Sequence, residues 1–364
     1  MALAGVNQQS DADEFKPLVV NAFNMFSHEF NVKITNDTDL LASPALKHDD
    51  TNAAIAIIAG TGTNGMAFMK SDDRSLKRIG VSRGWGYLLG DEGSAFSIGR
   101  SAIQSLLSYE DFRNNQKLYR SSIEIPSLDL HKDLMKQLQV DTPANLINKA
   151  YVDHSEPHSP SFTASETNRK CWIAEASRQV FKYAFDNKNN ISPIVIDNIM
   201  NDCLIGIPID PTPSTFSQNC NDYSQIEALK IASQAICPLV HMVVGLLGDR
   251  SVIKPETTTL TVGGGVISND GYRSLLLRAL ETHFGIKFKH VQVVNDAEGE
   301  GVQALASQYK PLNKLAKIKI STPPQSPSKK STSLNATSSL SPSSPTFSIH
   351  SCSATTATTT SALM

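Results

Sequence analysis

Apolar positions recur along this chain with two periods, one near two residues and one near 3.6, and stretches of the two kinds alternate. Residues 53–59 (AAIAIIA) read as a short buried strand running straight into Gly60. Residues 65–69 and 77–81 alternate apolar and polar around Ser71, Asp72, Asp73 and Arg74, which predicts a β-hairpin. Ser94 can cap a helix with Ile98, Ala102, Ile103, Leu106 and Leu107 inward. Residues 258–262 predict another strand, entering Gly263, Gly264 and Gly265. Asn269 or Asp270 can cap a helix with Tyr272, Leu275, Leu276, Ala279 and Leu280 inward. Residues 291–294 predict a strand ending at Asn295 and Asp296, and a last helix follows over about 299–307.

The flanks are less regular. Residues 1–5 are a short apolar piece. Ser10 reads as an N-cap, with Asp13 at the third helical position. Phe15, Leu18, Val19, Ala22, Phe23 and Phe26 then follow at helical spacing, and Pro17 kinks that helix or marks its start. Residues 32–35 predict a strand ending at Asn36 and Asp37, then a short helix limited by Pro44. The middle, about 109–222, reads as helical with long polar inserts, and 187–222 as largely irregular. Ser224 and Glu227 have capping-box spacing, opening a helix that Pro238 must kink or end.

Composition narrows the function classes. The chain has 364 residues, 40% hydrophobic and 19% charged, a length that suggests two folded domains. A formal net charge of −2 gives no electrostatic footprint for nucleic acid or an anionic membrane. The longest apolar runs, 55–59 and 239–247, are too short to cross a bilayer. The start lacks a basic region followed by an apolar one, so secretion is not indicated and a cytoplasmic setting is expected. The five cysteines, Cys171, Cys203, Cys220, Cys237 and Cys352, form no CxxC pair, which argues against a disulfide scaffold, a zinc site or an iron–sulfur cluster. From Ser321 onward Ser, Thr, Pro and Ala dominate, and apolar residues are too sparse to offset ordering entropy, so a disordered tail is expected.

Two segments carry candidate chemistry. In IIAGTGTNG, residues 57–65, a strand enters a loop whose glycines let backbone N–H groups approach an anion, with Thr61 and Thr63 as hydroxyl donors; an ordinary strand turn is the plainer reading. In RGWGYLLGDEGSAFSIG, residues 83–99, four glycines, Trp85 and the pair Asp91 and Glu92 precede a helix. A hydroxyl-rich sugar wants carboxylates, backbone groups and a nearby aromatic. Against that, Trp85 could be core, and the acidic pair could merely favour the helix dipole.

GTGTNG followed by GWGYLLGDEGS resembles the N-acetylglucosamine kinases of the BadF/BadG/BcrA/BcrD-type ATPase family, within the sugar kinase, heat-shock chaperone and actin superfamily. Thr63 stands where the family usually has Ser, and keeps the hydroxyl. The resemblance extends over most of 1–307, weakly between 109 and 222. It implies an α/β, actin-like (ribonuclease H-like) two-domain ATPase fold. On that reading 1–52 is a remnant of the first domain, 53–310 is the second domain with a helical insertion, and 311–364 is the tail. Three antiparallel strands feeding parallel strand–helix units describe one half of such a fold.

The resemblance further implies ATP with Mg2+ and phosphorylation of N-acetyl-D-glucosamine at its 6-hydroxyl, giving N-acetylglucosamine 6-phosphate and ADP. Thr61, Gly62 and Thr63 then lie at the second phosphate loop. Gly84, Trp85, Gly86 and Asp91 contact the sugar, and Gly263, Gly264 and Gly265 form the adenosine motif. Asp37, in ITNDTDLLAS, matches the family's base; Asp296 and Asp39 are rivals, and a helix N-cap is the plainer role for Asp37. No protein residue is assigned to metal, and the partners are small molecules, with a homodimer compatible. The family's acidic Gly-rich first phosphate loop has no counterpart before residue 5, so the expectation is a truncated first domain. An exposed edge and poor cover for Phe15, Phe23 and Phe26 would follow. The competing readings are a related amino-sugar kinase and a non-catalytic sugar or nucleotide sensor. An activator of a radical dehydratase would need cluster-bridging cysteines that the spacing does not supply.

Overall fold

The computed structural model describes residues 9–22, 34, 36–72, 75–118, 125–155, 161–186, 193–204 and 223–308. The predicted pieces at 1–5 and 23–33, and the tail, lie outside them.

Among the described residues the architecture is mixed α/β, around a five-stranded sheet of order β3-β2-β1-β4-β5. Its strands are β1 (Ala53–Ala59), β2 (Thr63–Lys70), β3 (Leu76–Arg83), β4 (Thr258–Gly263) and β5 (His290–Val294). β1, β2 and β3 pair antiparallel, whereas β1, β4 and β5 pair parallel. The unbroken apolar run of β1 is explained by burial on both faces. Ala53, Ile55, Ile57 and Ala59 join the larger core, while Ala54 and Ala56 join a smaller one with Leu41, Ala42, Ala45, Met66, Phe68 and Val294.

The predicted helices after Ser94 and Asn269 form with their predicted caps. α2 (Asp37–Ala42) precedes a 3-10 turn, Ser43–Lys47, with Pro44 in its first turn. α3 (Ala95–Asn114) is capped by Ser94, whose hydroxyl accepts from Ser97 N–H, and it buries Ile98, Ala102 and Leu106. α10 (Asp270–Phe284) is capped by Asn269 and closed by Gly285 in the left-handed region. α11 spans Ala297–Gln308. Between α3 and α10 lie α4 (Asp129–Gln137), α5 (Pro143–Tyr151), α6 (Phe162–Glu175), α7 (Ser177–Phe181), α8 (Pro193–Leu204) and α9 (Tyr223–Leu247).

Several expectations are corrected. α1 (Gln9–Ala22) contains Ser10 and Pro17, and its buried residue is Ala12, packed with Ile34 and Val19, while Phe15 and Leu18 face solvent. Ile34 is in no strand. α8 occupies part of the stretch expected to be irregular. α9 does not end at Pro238 but runs on to Leu247, and the Pro238 carbonyl accepts from Arg83 Nη2 at 3.2 Å. By length and composition α9 could cross a membrane, contrary to the sequence expectation, but 72% of its most apolar window is buried inside the protein. It is a core helix.

The capping box is absent too. Ser224 Oγ accepts from Leu130 N–H at 3.3 Å, and Glu227 accepts from Ser105 Oγ at 2.6 Å and Tyr109 OH at 3.4 Å. Both side chains lie within α9 and bond to other helices instead.

Candidate functional site

The loop after β1 is fixed by the turn before α3. Gly60 N–H donates to Gly62 O at 3.0 Å, and Ala95 N–H donates to Gly60 O at 2.8 Å. Thr63 N–H donates to Asp91 Oδ1 at 3.0 Å, and Thr63 Oγ1 donates to Glu92 O at 3.1 Å. Only glycine fits at position 62, where a Cβ would lie 2.8 Å from both Asp91 carboxylate oxygens. The two predicted threonines therefore differ. Thr61 is exposed, but Thr63 is buried and its hydroxyl proton is committed to Glu92. The two motifs, separated in sequence, form one unit.

The turn itself is wound through the left-handed region. Arg83, Gly84, Gly86, Asp91 and Gly93 all have φ between 63° and 84°. For Arg83 and Asp91 that conformation is strained, and the surroundings hold it. Arg83 forms an ion pair with Glu92. Asp91, 3% exposed, accepts from Thr63 and also from Lys170 Nζ at 2.8 Å. Gly93 O accepts from Tyr272 OH at 3.1 Å, reaching in from α10. Burial pushes the Tyr272 hydroxyl well above its ordinary range, which keeps it a donor.

Trp85 is not a core residue. It is 63% exposed, and Leu88 and Leu89 beside it are 78% and 76% exposed. Gly90 packs under its ring, where a Cβ would come within 3.4 Å of Trp85. Tyr87 is half-buried; it donates to Glu166 and meets Phe96 edge-on at 5.2 Å. Glu166 also pairs with Arg169. Glu166, Arg169 and Lys170, all on α6, were missed by sequence reasoning, because Lys170 lies 79 residues from Asp91 with no local motif.

The second glycine cluster meets the first across the parallel pair β1 and β4, where Ile58 registers with Gly263. Gly264 has φ +100°, and a Cβ there would lie 2.6 Å from Ala59 O. That carbonyl already accepts from Val266 and Ile267 N–H at 3.1 and 3.2 Å. Gly265 is exposed, and a Cβ there would point into open space. Among the described residues, nothing lies within 4 Å of that position.

α2 packs against β1 and β4 on the same side of the molecule as Gly263, where a Cβ would lie 2.5 Å from Leu41. Asp37 opens α2, but Asn36 is its cap, with Oδ1 accepting from Thr38 N–H at 2.9 Å. The Asp37 side chain lies outside the described residues. The rival Asp296 is exposed and takes a capping role, accepting from Gly299 N–H at 2.9 Å. The structure thus brings together residues 60–63, the turn at 83–94 and Gly263–Gly265, with α2 alongside.

No family model matches the chain. Over 152 residues it is 23% identical to an N-acetylmuramic acid/N-acetylglucosamine kinase of Clostridium acetobutylicum, a match that covers 39% of this chain and 47% of that protein. The chain thus spans about half the length of the curated relative it matches. Among solved structures, a proposed N-acetylglucosamine kinase from Porphyromonas gingivalis aligns with TM-score 0.47 and 18% identity, covering 84% of this chain and 75% of that one. One from Chromobacterium violaceum aligns with TM-score 0.40 and 17% identity, covering 75% and 65%.

Proposed function

We propose that this chain is an ATP-dependent amino-sugar kinase that phosphorylates N-acetyl-D-glucosamine at its 6-hydroxyl, releasing N-acetylglucosamine 6-phosphate and ADP. The observation that carries the reading is the junction of two glycine loops at the ends of adjacent parallel strands, Gly60 and Gly62 against Gly264, beside the strained turn that holds Asp91. Ligands of parallel α/β sheets bind outside the carboxyl ends of the strands. We read the strand order as the second domain of an actin-like ATPase, over 53–310, with 1–52 belonging to the first domain and 311–364 to a tail.

In this reading the purine and ribose lie on Gly263–Gly265 from the side of Gly265, whose backbone is exposed. The N–H groups of Thr61 and Gly62, with the Thr61 hydroxyl, face the phosphates, while Thr63 holds the loop to Asp91 and Glu92. Mg2+ arrives with the nucleotide and neutralises phosphate charge. Gly84, Gly86 and Trp85 line the sugar side. Each Asp91 carboxylate oxygen has one donor already and a lone pair to spare, so it can accept from a sugar hydroxyl without releasing Thr63 or Lys170. Asp37 accepts the proton of the 6-hydroxyl as that oxygen bonds the γ-phosphorus and the bond to ADP breaks. The setting is cytoplasmic, and a homodimer is compatible with it.

A second acceptor, N-acetylmuramic acid, is favoured by Lys170 and Arg169 standing beside the turn, since its carboxylate wants a cation. Both are tested by following ADP release from the full chain with N-acetylglucosamine, N-acetylmuramic acid, N-acetylmannosamine and glucosamine. Turnover of an N-acetylated sugar is expected, and Asp37→Asn should lower kcat by about 100-fold or more with little change in KM. Calorimetric binding of sugar and nucleotide without any ADP release would replace the kinase with a sensor.

A further inference from the structure

The opposite end of the parallel strands carries a separate cluster that the kinase reading does not use. His48 follows the 3-10 turn, Asp50 precedes β1, and His290 is the first residue of β5. The His48 and His290 rings stack with centroids 4.0 Å apart and an interplanar angle of 16°. His290 Nε2 lies 2.8 and 3.0 Å from the two Asp50 carboxylate oxygens. One ligand atom from each of the three residues falls within 4.8 Å of the others. The surrounding backbone is pinned. His48 O accepts from Lys70 Nζ and from Thr51 Oγ1 at 3.1 Å, and Lys289 N–H donates to Pro255 O at 3.0 Å.

We propose that His48, Asp50 and His290 form a zinc site that fastens the segment leading into β1 to the edge strand β5. Two imidazoles and one carboxylate are a borderline donor set that suits Zn2+, whereas Mg2+ and Ca2+ prefer oxygen alone. Bonds of about 2.0–2.1 Å place tetrahedral ligands about 3.4 Å apart, so the cluster closes with side-chain shifts of roughly an ångström. Water completes the shell, because all three residues are at least partly exposed. The neighbouring groups do not block the site. Gln292 Oε1 lies 3.3 Å from His48 Nε2, and Lys289 Nζ lies 3.7 Å from Asp50 at the rim. The metal would join residues 240 positions apart. The cysteine pattern predicts no zinc site; this one uses no thiol, so cysteine spacing does not bear on it.

The test is calorimetric titration of ZnCl2 into the chelator-stripped full chain, repeated on His48→Gln, Asp50→Asn, His290→Gln and the double variant Cys171→Ser/Cys237→Ser. One zinc per chain is expected. Each of the first three substitutions should weaken it about tenfold or more, in the range seen when a zinc-supporting residue is lost. The cysteine variant should bind as wild type. Co2+ in place of zinc should show visible bands without thiolate charge transfer. Circular dichroism of the metal-free variants checks that they fold. Absence of binding below about 0.1 mM zinc, a free energy weaker than about 5.5 kcal/mol, would overturn the proposal. So would wild-type affinity in the histidine variants. Either result leaves the kinase reading untouched, since ADP release is measured separately.

Discussion

One helix, α3, serves two polar clusters of opposite character. At its N-terminus stand Asp91, Thr63, Lys170, Arg83 and Glu92. Farther along it, Ser105 and Tyr109 meet His131 of α4 and Glu227 of α9. The second cluster is built wholly on helices and is sealed: Tyr109, His131 and Glu227 are 2%, 4% and 7% exposed. Its groups bond mostly to one another, although His131 Nδ1 is buried with no hydrogen-bond partner among the described residues. Ser105 donates to Glu227, so it accepts from His131 Nε2–H, and burial holds the Tyr109 hydroxyl above its ordinary range. The first cluster is built on a turn with two non-glycine residues in the left-handed region, next to exposed Trp85, Leu88 and Leu89. A sealed network without backbone strain needs only stability to explain it. Strain held in place beside open apolar surface asks for a ligand.

The largest effect is expected where the two glycine loops touch. Gly264→Val would put a branched side chain at φ +100° and within 2.6 Å of Ala59 O, a backbone atom that cannot move without opening β1 from β4. We expect a loss above about 4 kcal/mol and an insoluble or unfolded product, checked by urea denaturation of any soluble fraction. Gly265→Ala, which meets open space, should fold normally. Equal behaviour of the two variants would break the picture of the junction.

Next in size is Asp91→Ala. It removes the acceptor of Thr63 N–H and leaves Lys170 without its carboxylate. Breaking a largely buried pair costs about 3–5 kcal/mol. Lys170→Met should cost less, because Asp91 keeps Thr63. The double variant should be milder than the sum, as a double-mutant cycle on urea midpoints would report. Additive losses would show that the pair is not coupled.

The two clusters also differ in what the sequence makes legible. β1, the hairpin, α3 and α10 follow from local signals: a doubly buried apolar run, period-two alternation, and the caps Ser94 and Asn269. The glycine motifs were visible because each lies within a few residues. What escaped depends on distant partners. Lys170 has no pattern until α6 is folded onto α3. Ser224 and Glu227 look like a cap, yet Leu130 and Ser105 claim them. Pro238 reads as a helix breaker, but packing on nearly every side of α9 outweighs one lost hydrogen bond. His48, Asp50 and His290 are ordinary residues until the sheet aligns them.

A middle-sized effect separates the clusters by pH. Burial first, then the Arg113 charge, pushes His131 down to about 3. Below pH about 6.5 the unfolded chain binds a proton there that the folded chain refuses. Stability is therefore full above about 6.5 and falls as pH drops toward 3, by at most about 1.4 kcal/mol per unit from this group. Urea denaturation should show about 1.6 kcal/mol lost between pH 6.5 and 5. His131→Phe, which keeps an aromatic edge against Tyr109, should flatten that slope. A slope unchanged in the variant would place the titrating group elsewhere.

The smallest stability effect is expected at Trp85, and it sharpens the contrast most. A tryptophan 63% exposed contributes little to the core, so Trp85→Ala should shift stability by no more than about 0.5 kcal/mol. If the turn exists to hold a sugar, the same substitution should raise KM for the acceptor several-fold while the KM for ATP stays put. A tryptophan that served only to cover Gly90 would do the reverse, lowering the urea midpoint and leaving acceptor KM unchanged. The two readouts, taken on one variant, decide whether the exposed face of the turn belongs to the fold or to the ligand.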